Sequence, residues 1–202
     1  IDLIRGAGTN ASVTLGHRAV SGNVGTILVD TNTGNIVATN AAGGSNAHVH
    51  VGHAGAAPAN QNITVNADAG SVDFNGGAAN GTFAQVGHTA VNSSGTVGVT
   101  AGTSISLNGG AGNDARAQFG HLASGDGDVT ATANAGSVVL AGGAGANARA
   151  QIGHGTRSGT GEITGNITVD AIGATSNVEV RGGNTGEGSF AQIGHGGILY
   201  NG

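Results

Sequence analysis

Residues 137–154 read SVVLAGGAGANARAQIGH, and residues 104–121 read SISLNGGAGNDARAQFGH, which aligns with the first stretch without a gap. In both, apolar residues keep one parity: Val138 and Leu140, then Ala148, Ala150 and Ile152, matched by Ile105, Leu107, Ala115, Ala117 and Phe119. Alternation of period two over four to seven residues is the mark of a half-buried strand, and the glycine pair between the runs reads as a turn. Residues 1–17, IDLIRGAGTNASVTLGH, fit the same template. Every copy closes on Gly-His, at His17, His53, His88, His121, His154 and His195, with successive gaps of 36, 35, 33, 33 and 41 residues. One unit is therefore repeated in tandem, and periods of this length belong to solenoids and arrays.

Each full unit contains a further alternating run ahead of this pair. It reads ITVNA from Ile63, VGVTA from Val97, VTATA from Val129 and ITVDA from Ile167. Three short strands per unit, separated by Gly, Asn, Ser and Asp, predict one coil of a parallel β-solenoid. The expected fold is all-β: one continuous solenoid over residues 1–202, with three strands per coil of 33 to 41 residues and roughly six coils. The chain opens inside a copy and stops just past a Gly-His, as a segment of a longer array would. Its open coil ends would then continue into more chain or stack on another copy.

Parity assigns the faces. Ile63 and Val65, Val129 and Ala131, and Val72 and Phe74 point inward with the residues named above, so small side chains make the core narrow. Stability then comes from stacked like residues and backbone ladders about 4.8 Å apart. Outward go Thr64, Thr130 and Thr132, and also Arg116, Gln118, Arg149, Gln151 and Gln192, the candidate surface contacts to polysaccharide or to neighbouring fibres. The segment from the first inward residue of the second run to the histidine is 16 or 17 residues long in every copy, whereas the stretch after the histidine varies from 8 to 13. Length variation thus gathers in one loop, where a solenoid tolerates insertion.

The histidines share the inward parity, and the glycine before each lets the chain bend, so they are expected to form a structural ladder at an inner corner. No carboxylate recurs at a fixed spacing to complete a metal site. His48 and His50 occupy the positions of Arg149 and Gln151 and read as surface variation. Residues 109–114, GGAGND, approach the calcium-binding nonapeptide, but the equivalent loops GGAANG, GGAGAN and GGNTGE lack the aspartate, which leaves a left-handed turn as the simpler reading. No metal or cofactor is expected, with calcium kept as an alternative. Catalysis is not expected either: no carboxylate pair recurs, no GxSxG elbow is present, and Asp126, Asp128 and Arg157 are the sparse candidates for a groove. The outward threonines raise ice binding as a further alternative, although Asn66, Gly98 and Asp170 interrupt their array.

Composition narrows the class further. Glycine supplies 42 of 202 residues, charged residues 8 % and aromatics 2 %, and there is no cysteine. Regular apolar patterning argues against disorder, and a single proline without a glycine at every third position excludes collagen. With six basic residues, all arginine, and a net charge of −5, no basic stripe is available for phosphates, so nucleic acid is not an expected partner. No apolar run approaches 18 residues, so no transmembrane segment is expected, and Ile1 begins no signal-peptide pattern.

The units NARAQIGH (residues 147–154), with GSVVLAGG and GNITVDA between them, resemble the repeat tracts of large bacterial exoproteins related to the filamentous haemagglutinins, which are secreted by a two-partner route. The resemblance spans the chain as repeat tract only; the secretion domain of that family is not in this sequence. It implies a right-handed parallel β-helix at the cell surface or released outside the cell, acting as an adhesin, stalk or biofilm matrix fibre.

Overall fold

The structure is a computed structural model and describes residues 1–18, 25–40, 43–55, 60–122, 125–155 and 163–196. It opens with β1 (Asp2–Arg5) and β2 (Ser12–Leu15). Strand triples then repeat along the chain: β3 (Ile27–Thr31), β4 (Ile36–Asn40) and β5 (His48–Val51), then β6 (Ile63–Ala67), β7 (Val72–Asn75) and β8 (Phe83–Val86). After them come β9 (Val97–Ala101), β10 (Ile105–Asn108) and β11 (Arg116–Phe119), followed by β12 (Val129–Ala133), β13 (Val138–Ala141) and β14 (Arg149–Ile152). The last triple is β15 (Ile167–Ala171), β16 (Val178–Arg181) and β17 (Phe190–Ile193).

Each strand pairs in parallel with its counterpart one repeat away. Three sheets result: β3-β6-β9-β12-β15 (the first), β1-β4-β7-β10-β13-β16 (the second) and β2-β5-β8-β11-β14-β17 (the third). This is a parallel β-solenoid, and the described residues contain no helix. Register follows the repeat. Ile105 lies between Val72 and Val138, Phe119 between Val86 and Ile152, and Val129 between Val97 and Ile167. Because pairing is residue on equivalent residue, inward parity is kept along the whole stack, and a one-residue slip would turn every core side chain outward.

The core is the narrow space between the sheets. Val72, Phe74, Ile105, Leu107, Val138, Leu140, Ala117, Phe119, Ala150 and Ile152 are all fully buried, with the inward residues of the first sheet such as Ile63, Val65, Val97 and Val129. Phe74 and Phe119 meet edge to face across it, ring centroids 5.2 Å apart. Alanine and valine fill much of the rest.

The turns are built on two recurrent devices. Just before the third strand, Asn10, Asn46, Asp114 and Asn147 all adopt φ between 56° and 59°, and Gly81 and Gly188 stand at the same place with φ 66°. Asn and Asp are the non-glycine residues that tolerate this left-handed conformation best. The aspartate of GGAGND is thus one member of a column of left-handed turn residues. Elsewhere, turn side chains reach along the stack. Asn62 Oδ1 accepts the Thr96 backbone N–H at 3.0 Å, Asn80 that of Asn113 at 3.0 Å, and Asn113 that of Ala146 at 3.0 Å. No helix among the described residues is long and apolar enough to cross a membrane.

Candidate functional site: the glycine-histidine corner

The third strand of each unit runs into a glycine with φ between 137° and 158°: Gly16, Gly52, Gly87, Gly120, Gly153 and Gly194. A Cβ on Gly52, Gly87 or Gly120 would run into the carbonyl of the corresponding glycine one coil on, Gly87, Gly120 or Gly153. Glycine is demanded on two counts, the backbone angle and the close approach of successive turns. The sharp bend it permits delivers the next residue, the histidine, to the corner.

There the imidazoles form a continuous column. The backbone N–H of His17 donates to Nδ1 of His53 at 3.1 Å, and the link repeats from His53 to His88 (3.1 Å), His88 to His121 (3.0 Å), His121 to His154 (2.9 Å) and His154 to His195 (3.1 Å). On the far side of each ring, Nε2 lies against a carbonyl just ahead of the first strand of its own coil. The partners are Gly25 (2.8 Å), Gln61 (2.8 Å), Gly95 (3.1 Å), Gly127 (2.7 Å) and Gly165 (3.1 Å), for His53 through His195 in order. A carbonyl only accepts and a backbone N–H only donates, so Nε2 carries the hydrogen and Nδ1 the free lone pair. Each ring therefore closes its own turn with one nitrogen and ties it to the neighbouring turn with the other. The rings of His53, His88, His121, His154 and His195 stack with centroids 4.6 to 5.1 Å apart and planes within 13°.

Burial favours the neutral rings. It lowers the His88 pKa to about 4, against which the bond to the Gln61 carbonyl works, and it lowers His121 to about 3 with help from the neighbouring His154 and His88. His154 is lowered as well, chiefly by burial. With both nitrogens engaged, a column imidazole has no lone pair to offer a cation. Among the described residues no group of three or more His, Cys, Asp or Glu is placed to hold a metal ion. Of the sparse groove candidates, Asp126 and Asp128 accept bonds from the next coil, from the Thr164 hydroxyl and the Asn166 backbone N–H, each at 2.8 Å, and Arg157 lies outside the described residues.

The outer face of the third sheet departs from the expectation. Gln118 and Gln151 are fully buried, as is their equivalent Gln85; Arg149 is buried too, and Arg116 is only partly exposed. Gln118, Gln151 and Arg149 are thus not open to a partner. The glutamine amides bond to the Gly-His corner of the neighbouring coil. Gln118 Nε2 donates to the carbonyls of Gly153 and Gly155, both at 3.0 Å, and Gln151 Nε2 to those of Gly194 (3.1 Å) and Gly196 (2.8 Å). Only Gln192, in the last triple, is half-exposed, and it bonds to the His195 carbonyl at 3.1 Å.

His50 is likewise no surface variant. It is fully buried with Nε2 2.6 Å from the Gly87 carbonyl, doing there what Gln85 does at Gly120, and burial lowers its pKa to about 4. His48 stacks flat on Phe83 (4.6 Å, 6°), whose ring also carries the Arg116 guanidinium at 4.0 Å. One further structural residue escaped the sequence reading. Arg5 is buried and bonds to Asn40 Oδ1 (3.1 Å) and to the carbonyls of Gly6 (2.8 Å) and Gly43 (2.9 Å). The available signal was an arginine standing where later copies have the first glycine of a Gly-Gly turn.

Comparisons with protein-family models, with curated proteins and with solved structures found no match to this chain.

Proposed function

We propose that the chain is a segment of an extracellular fibre or adhesin at a bacterial surface, non-catalytic and without a cofactor, that attaches cells or builds a biofilm matrix. In this reading the solenoid is right-handed, in keeping with the preference of parallel crossover connections, runs through roughly six coils, and belongs with the haemagglutinin-like exoproteins it resembles. The observation that carries it is the unbroken residue-on-residue pairing of every repeat with the next in all three sheets, the construction of a rod. The corner histidines and the third-sheet glutamines serve that stack, because their bonds run from coil to coil.

Contact with a partner then falls to the uncovered outer face of the first sheet. Thr64, Thr130, Thr168 and Asp170 are exposed there, and Asn66, Thr100 and Thr132 are half-buried. The hydroxyl, amide and carboxylate groups of this face, interrupted by Gly98 and the exposed Leu28, match the hydrogen-bonding needs of a polysaccharide. The vertical pairs Thr100 with Thr132 and Thr130 with Thr168 keep ice binding as the second reading. In the last triple Val178, Val180 and Ile193 are 42 %, 45 % and 38 % exposed, and a further coil or a second copy stacked there would cover them.

The test is co-sedimentation of the chain with bacterial exopolysaccharides, together with an ice-recrystallisation assay. Replacing Thr64, Thr130 and Thr168 by valine should abolish glycan retention while electron micrographs still show rods. Retention unchanged by the triple variant, or micrographs of separate globules, would contradict the proposal.

A further inference from the structure

We infer that the histidine column is a proton-operated latch: the solenoid is held shut by neutral imidazoles and opens cooperatively along its axis when they take up protons. This does not depend on what the fibre binds.

The geometry is specific about the proton's effect. In the rings of His88, His121 and His154 the only nitrogen free to gain a proton is Nδ1, and it already accepts the backbone N–H of the histidine one coil earlier. A proton there sets hydrogen against hydrogen, so the damage falls on the neighbouring coil. Because His53, His88, His121 and His154 each donate to one neighbour and accept from the other, loss of one link frees a backbone N–H and lets the next ring shift. Stacking adds to this, since charge on one ring opposes charge on the next at 4.6 to 5.1 Å. His88, His121 and His154 therefore stay neutral together until the stack fails.

The surrounding charges mostly act in the same direction. His53 faces His88, and His88 and His154 face His121. His154 is faced by His195, with Asp126 and Asp128 beside it on the run into β12. Asp126 and Asp128 favour the charged ring at His154, but burial and His195 outweigh them and its pKa is lowered. His50, beside the column, is faced by His48, His88 and Arg116. At the column's open end Arg18, next to His17, bonds to Ser12 Oγ at 3.0 Å.

The sign follows from the two states. In the unfolded chain these histidines bind protons near pH 6.5, whereas in the stack His88 and His50 hold off protons to about pH 4 and His121 to about 3. The stability they contribute is complete above about pH 6.5 and is lost progressively as pH falls through about 4 toward 3.

Two measurements on the 202-residue chain test the latch. Long-range ¹H–¹⁵N spectra should show His88, His121 and His154 as Nε2–H tautomers at pH 7.5, with no protonated form until the fold is lost. The folding equilibrium constant, from denaturant titrations, should fall at least about a hundredfold per pH unit between pH 6 and 4.5, which corresponds to two or more linked protons. His121→Asn keeps an acceptor on the short side of the ring and cannot be protonated, so it should reduce that dependence by up to about tenfold per unit. An intact stack in which His88, His121 and His154 titrate near pH 6.5, or carry Nδ1–H at neutral pH, would overturn the inference. So would an unaltered pH dependence in His121→Asn; if that variant does not fold, the native spectra decide.

Discussion

The strands β14 and β17 carry the same three residues in register, Ala150-Gln151-Ile152 against Ala191-Gln192-Ile193, yet their environments differ. Ile152 is fully buried and Ile193 is 38 % exposed; Gln151 is fully buried and Gln192 only half so. The second sheet repeats the contrast, with Val138 and Leu140 buried beneath Val178 and Val180, which are 42 % and 45 % exposed. Identical sequence does not bring identical burial. A coil does not bury its own core; its neighbours on both sides do. The molecule thus behaves as a one-dimensional stack in which stability is the sum of coil-to-coil interfaces.

The strongest way to break this comparison is at the corner. Gly120→Ala would put a Cβ against the Gly153 carbonyl at a backbone angle of 137° and should cost more than about 4 kcal/mol or prevent folding. At Gly194 the nearest atoms are the end of the Gln192 side chain, from 2.9 Å, which can swing away, so Gly194→Ala should cost no more than about 2 kcal/mol, mainly for its backbone angle. Urea midpoints of the two variants give the difference directly. Next in size, Ile152→Ala should destabilise by about 3 to 4 kcal/mol through lost burial and a cavity, whereas Ile193→Ala should lose less than half of that. The smallest contrast is polar. Gln151→Leu leaves the Gly194 and Gly196 carbonyls without their donor and should cost about 1 to 3 kcal/mol, while Gln192→Leu should stay under about 1 kcal/mol. Equal costs within any pair would mean that the last triple is packed as the middle ones are.

The strands and their inward faces were legible because they rest on local alternation. The run ITVNA became β6, and Val72 with Phe74 went inward. The outer face of the third sheet was misread for a physical reason. Polarity alone suggests solvent, but here Gln85, Gln118 and Gln151 are buried, and their amides donate to the corner glycine carbonyls one coil on, Gly120, Gly153 and Gly194. The clue lay in constancy: glutamine holds that one outward position in four copies while the other outward positions vary. The left-handed column of Asn10, Asn46, Asp114 and Asn147 was visible only as scattered polar residues, since a φ angle leaves no mark in composition. The tautomer of the histidines could not be read at all before both partners of each ring were known.

Hydrogen exchange resolved strand by strand tests the nearest-neighbour account most directly. Backbone amides in β9 to β14 should be protected most, with protection falling in β15, β16 and β17, where Val178, Val180 and Ile193 are exposed. Uniform protection through β17, or exchange in β10 and β11 as fast as in β16 and β17, would contradict it.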